Sequence, residues 1–225
     1  MPAPKRRNIS QQSEMIYDLH NFGVLLDTRE IFLGCSDELE YEMIDIKVAT
    51  NFIKNLRLLN SMGNDPILVH MNTCGGDWNY GMAIYDAIKA CPCHMTVLAY
   101  AHARSMSSII PQAADLRIMM PSADFLIHYG TFGLPEMNTQ SAISEAEWAV
   151  KMQDHMMDLY AERCVEGQFF KREMMDKKAI KTYLIEKIAH KQEVYFTARE
   201  AISYGFMDAV LGDEGYENIS TLREE

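Results

Sequence analysis

Three things are scarce in this sequence, and each shortage excludes something. No apolar run approaches the roughly 20 residues that span a bilayer, and basic Lys5-Arg6-Arg7 has no apolar stretch behind it. Neither a membrane span nor a secretory leader is expected. The five cysteines, Cys35, Cys74, Cys91, Cys93 and Cys164, are odd in number and lack framework spacing, so no disulfide is expected and a reducing, cytoplasmic setting is. Positive charge is also short, with 21 Lys and Arg against 32 Asp and Glu and a net charge of -11. A polyanion is repelled by that field, so no nucleic-acid partner is expected.

What is present suits one folded unit. A chain of 225 residues, 48% hydrophobic and 24% charged, is long enough to bury the core of one α/β domain. Its 17 methionines often fall at helical spacing, where core filling or a soft apolar contact surface explains them. Residues 1–13 are polar, carry Pro2 and Pro4 and read as a flexible N-terminal arm. The domain proper is expected over residues 14–212, with 213–225 as a C-terminal tail.

Strand and helix patterns alternate along that domain. Residues 29–35 form a short apolar run, followed by Ile44, Val48, Phe52, Leu56 and Leu59 at spacings of three and four, which predict a helix. Residues 66–72 read as a second strand, 74–77 as a tight turn and 80–90 as a helix, the β-turn-α step of a parallel sheet. Residues 95–101 repeat the pattern and run into Arg104-Ser105-Met106, where another helix opens. Apolar runs at 116–120 and 125–128 follow, then a long helix over 141–164 that projects from the body. A charged helical segment over 171–191, a short helix over 197–204 ended by Gly205, and a last strand over 207–211 complete the chain.

Three places in this frame carry chemistry. Ser105 sits where a strand turns into a helix, so its hydroxyl is presented on a rigid scaffold beside unpaired N–H groups. Serines also cap helices, and position alone does not choose between the two. Gly75-Gly76 stands at the other strand-to-helix turn, where glycine lets backbone approach a ligand closely or simply makes a tight turn. His128 ends the run Asp124-Phe-Leu-Ile-His and has the best setting of the histidines for taking a proton from Ser105. Cys91-Pro-Cys93-His94 lacks a second cluster to complete a zinc tetrahedron, so no metal is expected. The glycine turn lacks the Lys and Ser/Thr of a phosphate loop, and no cofactor is expected.

The blocks Asn72-Thr-Cys-Gly-Gly-Asp with Gly81-Met-Ala-Ile-Tyr-Asp86, then Ala103-Arg-Ser-Met106, Leu126-Ile-His128 and Ala198-Arg-Glu-Ala-Ile-Ser-Tyr-Gly-Phe-Met-Asp208, resemble the proteolytic subunit of the ATP-dependent Clp protease. The resemblance runs in unbroken order over roughly residues 15–211. It implies a Clp protease/crotonase-like α/β fold of stacked ββα units with a projecting long helix. It also implies a serine endopeptidase with Ser105 as nucleophile, His128 as base, and the amides of Gly76 and Met106 as oxyanion hole. The third catalytic position falls on Glu193, where the family usually has aspartate. Gly75 and Asp77 on one side, and Tyr129, Gly130, Thr131 and Phe132 on the other, are implied to pair an extended peptide.

The resemblance further implies a homo-oligomer of stacked heptameric rings, fed with polypeptide substrates by an AAA+ unfoldase that supplies the ATP chemistry. Arg104 before the serine and Glu193 depart from the family pattern and motivate an alternative, an inactive Clp-type subunit of a mixed ring. A second alternative is an acyl-CoA enzyme of the crotonase type, which shares the paired-glycine oxyanion turn but does not need a Ser-His pair.

Overall fold

The computed structural model describes residues 9–34, 43–131, 133 and 136–223, with side chains from residue 13 onward. Its first element is a helix, α1 (Ile9–Phe22), which begins ahead of Glu14, within the stretch expected to be a loose arm. The short strands β1 (Val24–Leu25) and β2 (Glu30–Gly34) follow. Helix α2 (Ile46–Ser61) is started by Asp45, whose carboxylate accepts from Val48 N, and buries Phe52, Leu56 and Leu59, the residues whose spacing predicts it. Ile44 belongs to that periodicity yet lies outside the helix, bridged as a strand residue to Gly76.

Strand β3 (Ile67–Asn72) leads through the Gly75-Gly76 turn into α3 (Trp78–Lys89), and β4 (Met95–Ala99) then runs back through the sheet. The continuous apolar stretch expected over 95–101 is divided. The chain leaves the first sheet after Ala99, and β5 (His102–Arg104) pairs instead in a second sheet. Next come α4 (Met106–Ile109), β6 (Leu116–Met119), β7 (Asp124–Ile127) and the long α5 (Thr139–Cys164), capped by Asn138. The charged segment forms two helices, α6 (Gln168–Arg172) and α7 (Lys177–Lys191), broken where Met174 takes φ +51°. Strand β8 (Val194–Thr197), α8 (Ala198–Tyr204) and β9 (Ala209–Val210) finish the domain.

The larger sheet has the order β1-β2-β3-β4-β6-β9, parallel throughout except for β1 against β2. Its central strands are buried on both faces, as parallel strands usually are. Val69, Met71, Val97 and Ala99 face the main core under α2 and α3, whereas Leu68, Leu98 and Ile118 face a smaller cluster closed by Leu222. The smaller sheet, β5-β7-β8, is parallel between β5 and β7 and antiparallel between β7 and β8. Helix α5 projects as expected: from Thr139 to Trp148 its residues are exposed or half-exposed, and burial of the helix begins at Ala149. Among the described residues no helix is long and apolar enough to cross a membrane.

Candidate active site

Ser105 occupies the sharp turn between β5 and α4 with φ +54° and ψ -128°. A non-glycine residue in that region is strained at a cost of about 1–3 kcal/mol, and such strain persists only where packing enforces it. The enforcement is visible: Ser108 N and Ser108 Oγ both donate to Ser105 O at 2.9 and 2.6 Å, and the Ser108 hydroxyl also meets the buried Tyr160 hydroxyl at 2.6 Å. Because Met106 opens α4, its N–H has no carbonyl within the helix to bond. Ser105 makes no side-chain capping bond, so its hydroxyl is not used as a helix cap.

The glycine turn packs directly against this elbow. A methyl group at Gly75 would lie 2.7 Å from Ser105 Cβ and 3.0 Å from Met106 N, and Gly75 takes φ +108°. At Gly76, with φ +152°, a methyl would lie 2.4 Å from the backbone of Ile44. Ile44 N donates to Gly75 O at 2.7 Å and Asp77 N donates to Ile44 O at 2.9 Å. In a parallel bridge of this kind the central residue's own N–H and C=O point away from the partner strand, so the Gly76 N–H is turned from Ile44.

Ser105, Met106, Gly75, Gly76 and His128 line one cleft of about 670 Å³. Tyr129, Gly130 and Thr131 line it too, while Phe132 lies outside the described residues. Asp77 reaches the cleft, but its groups are committed: the carboxylate caps α3 by accepting from Asn79 N and Tyr80 N, and the N–H bonds Ile44. Met43, Met152, Met156 and Trp148 form further wall. Sequence periodicity places Met152 and Met156 on one face of α5 but does not say that this face borders the cleft.

His128 and Glu193 meet through strand register. β7 and β8 pair Ile127 with Val194, and one further antiparallel step sets His128 opposite Glu193. His128 Nδ1 lies 4.0 Å from Glu193 Oε1, and Glu193 is more than half exposed. Glu193 Oε2 also accepts from the Tyr195 hydroxyl at 3.3 Å. The imidazole Nε2 is buried and has no hydrogen-bond partner among the described residues. Burial lowers the His128 pKa below its ordinary value, with the Glu193 charge opposing in part, which favours the neutral ring, whose one unprotonated nitrogen can accept a proton.

Arg104 does not obstruct the site. Its guanidinium makes a bidentate pair with Asp124 at 2.6 and 2.5 Å on neighbouring β7 and lies 5.5 Å from the centre of the Tyr195 ring. The departure at this position is therefore absorbed by the outer surface of the small sheet. Among the described residues no group of three or more His, Cys, Asp or Glu side chains could hold a metal ion.

Comparison with known proteins bears on the family and the fold. The Clp protease family model matches residues 11–214. The ATP-dependent Clp protease proteolytic subunit of Deinococcus radiodurans is 26% identical over 212 residues, 92% of this chain and 90% of that protein. Proteolytic subunit 2 of Corynebacterium glutamicum is 28% identical over 195 residues, 84% of this chain and 85% of that one. A solved ClpP1 variant from Listeria monocytogenes superposes with a TM-score of 0.66, covering 88% of this chain and 96% of its own at 23% identity, a likeness of fold.

Proposed function

Since the chain belongs to the Clp protease family, we propose that it is a proteolytic subunit, a serine endopeptidase that cuts unfolded polypeptide through an acyl-enzyme. The observation that carries this reading is the strained Ser105 elbow sharing one cleft with His128 and the Gly76 turn. Ser105 Oγ attacks the scissile carbonyl as His128 Nε2 takes its proton. The oxyanion is held by the N–H groups of Gly76 and Met106, and His128 then protonates the leaving amine. Water attacks the ester by the same base, releasing the acid and restoring the hydroxyl. Glu193 favours the tautomer with Nδ1 protonated, leaving Nε2 to accept. An extended peptide lies between the Gly75-Gly76 turn and residues 129–131, its apolar side chains toward Met152 and Met156.

Labelling tests the assignment. A fluorophosphonate should attach to Ser105 and to nothing in Ser105→Ala, which should also lose all peptide hydrolysis. Exposed Ile143, Trp148 and Val150 on the first half of α5 support assembly, which we take to be stacked heptameric rings in the cytoplasm, fed by an AAA+ unfoldase. Sedimentation at micromolar concentration should show a large particle, and a stable monomer would remove the chamber.

The partnerless Nε2 and the 4.0 Å His128–Glu193 separation favour one second reading, an inactive subunit of a mixed ring. Catalytic hydrogen bonds are often long before substrate binds, so this geometry alone does not choose. An ordered ring that never takes the fluorophosphonate would establish the inactive subunit.

A further inference from the structure

Two residues depart from the family pattern, Arg104 and Glu193, and the small sheet brings both to one aromatic ring. β5 and β7 pair Arg104 with Leu126, and β7 and β8 pair Leu126 with Tyr195. Arg104, Leu126 and Tyr195 thus form one row across three strands, and residues in such a row put their side chains on the same face of the sheet. Leu126, at the centre of the row, is buried, and the Arg104 guanidinium lies 5.5 Å from the centre of the Tyr195 ring. Asp124, two residues before Leu126 and so on the same face, holds that guanidinium in a bidentate pair.

The same alternation along β8 sets Glu193 beside Tyr195. Val194 and Phe196 are buried, whereas Glu193, Tyr195 and Thr197 alternate with them on the outer face. The Tyr195 hydroxyl donates to Glu193 Oε2 at 3.3 Å, and Glu193 Oε1 lies 4.0 Å from His128 Nδ1. The carboxylate therefore faces a phenol with one oxygen and an imidazole with the other. Glutamate has one more rotatable bond than aspartate, so holding its carboxylate toward the ring costs more conformational entropy. A donor on the second oxygen restricts that freedom, and a ring stacked against a paired guanidinium is a rigid donor. Tyr195 and Glu193 are both more than half exposed, which keeps the size of the effect at that of one solvated hydrogen bond.

We propose that Tyr195 is a positioning residue of the peptidase: Arg104 steadies its ring, and its hydroxyl turns the Glu193 carboxylate toward His128. Tyr195 is not among the residues lining the cleft, so it acts only through Glu193, on the orientation and tautomer of the base. The two departures then work as one unit, the arginine before the nucleophile supporting the aromatic residue that holds the longer carboxylate. The effect of Tyr195 on turnover rests on the peptidase reading, whereas its effect on the His128 ring does not.

The test is steady-state peptide hydrolysis by the full chain, followed across the acid limb of the pH profile. Tyr195→Phe keeps the ring and its stack and removes only the donor. It should lower kcat by about two- to fivefold, the size of one exposed hydrogen bond, with KM unchanged. The acid limb should also move to lower pH, because a carboxylate released by Tyr195 raises the His128 pKa less. Glu193→Ala should do both to at least the same extent, and adding Tyr195→Phe to it should change nothing further. Arg104→Lys keeps a charge for Asp124 but loses the planar stack, so it should move the acid limb the same way and add nothing to Tyr195→Phe. Unchanged kcat and acid limb in Tyr195→Phe, or losses that multiply in the Tyr195–Glu193 pair, would overturn the proposal. An Arg104→Lys loss that multiplies with that of Tyr195→Phe would overturn the part given to Arg104.

A second measurement needs no turnover. In the Ser105→Ala chain carrying isotope-labelled histidine, the His128 ring is titrated by NMR, its signal assigned by its loss in His128→Gln. Tyr195→Phe should lower the His128 pKa, and an unchanged or raised value overturns the positioning role. An unsubstituted chain that neither hydrolyses peptide nor takes the fluorophosphonate would instead defeat the peptidase reading, and this titration would still decide whether Tyr195 sets Glu193 against His128.

Discussion

At Gly75 the first side-chain carbon of any other residue would enter space held by Ser105 Cβ, Arg104 O and Met106 N, at 2.7, 2.9 and 3.0 Å. These atoms belong to the elbow itself, so relief means moving Ser105. Gly75→Ala should leave a folded chain whose peptide turnover falls by about 10² to 10³, the size of losing one oxyanion donor, with fluorophosphonate labelling slowed in parallel. Unchanged turnover would mean that the turn does not set the elbow. Ser105 and Gly75-Gly76 were open to sequence reading because strand-to-helix turns announce themselves. The clash that makes glycine obligatory was not, because it comes from a residue 30 positions away.

Glu193 makes a different prediction because its magnitude is bounded. The pair spans 4.0 Å with the carboxylate more than half exposed, and exposed pairs are worth at most about 1 kcal/mol. Glu193→Gln should therefore reduce kcat/KM by no more than about fivefold. The sign of its pH effect follows from the proposed mechanism, in which neutral His128 is the base: activity is lost as pH falls through the His128 pKa, which lies below the ordinary 6.5. Glu193 raises that pKa, so removing its charge should move the acid limb of the pH profile further down. An upward shift would show that Glu193 does not act on His128.

At the scale of elements, the order of strands and helices was largely legible, and the failures have local causes. Residues 95–101 read as one strand because nothing apolar is interrupted where the chain passes from one sheet to the other after Ala99. Ile44 read as helical because its spacing fits, but its N–H and C=O are claimed by Gly75 and Asp77 across the chain, a competition that periodicity does not record. α8 was legible at both ends because its signals are local. Thr197 accepts from Glu200 N, the Glu200 side chain accepts from Thr197 N, and Gly205 closes the helix at φ +84°. Thr197→Ala should cost about 1 kcal/mol, read as a lowered Tm, while fluorophosphonate still labels Ser105. Loss of labelling would mean that the cap also sets the β8 register carrying Glu193.

On the whole molecule, the tail closes the sheet's second face. Leu222 is 1% exposed against Leu68, Leu98, Leu116 and Ile118, and Arg223 pairs with Glu30 at 2.6 Å. Glu30 in turn contacts His70 Nε2 at 2.6 Å, and His70 Nδ1 meets the Tyr100 hydroxyl at 2.9 Å. Burial alone would raise the Glu30 carboxyl pKa, but hydrogen bonds from His70 and Thr28 and the charges of Arg223 and His70 outweigh it and hold the group below 4.5. A carboxyl lowered on folding contributes stability that is present above its unfolded pKa and lost as pH falls through the folded one. Arg223→Ala removes one of the lowering charges, so the acid-unfolding midpoint followed by circular dichroism should move to higher pH. Leu222→Ala should instead cost about 2–5 kcal/mol through an unfilled cavity, by the same amount at every pH, so its midpoint also rises but the slope of stability against pH is unchanged. If the stability lost in Arg223→Ala were also the same at every pH, Arg223 would be a packing residue and the tail would be held to the sheet by apolar burial alone.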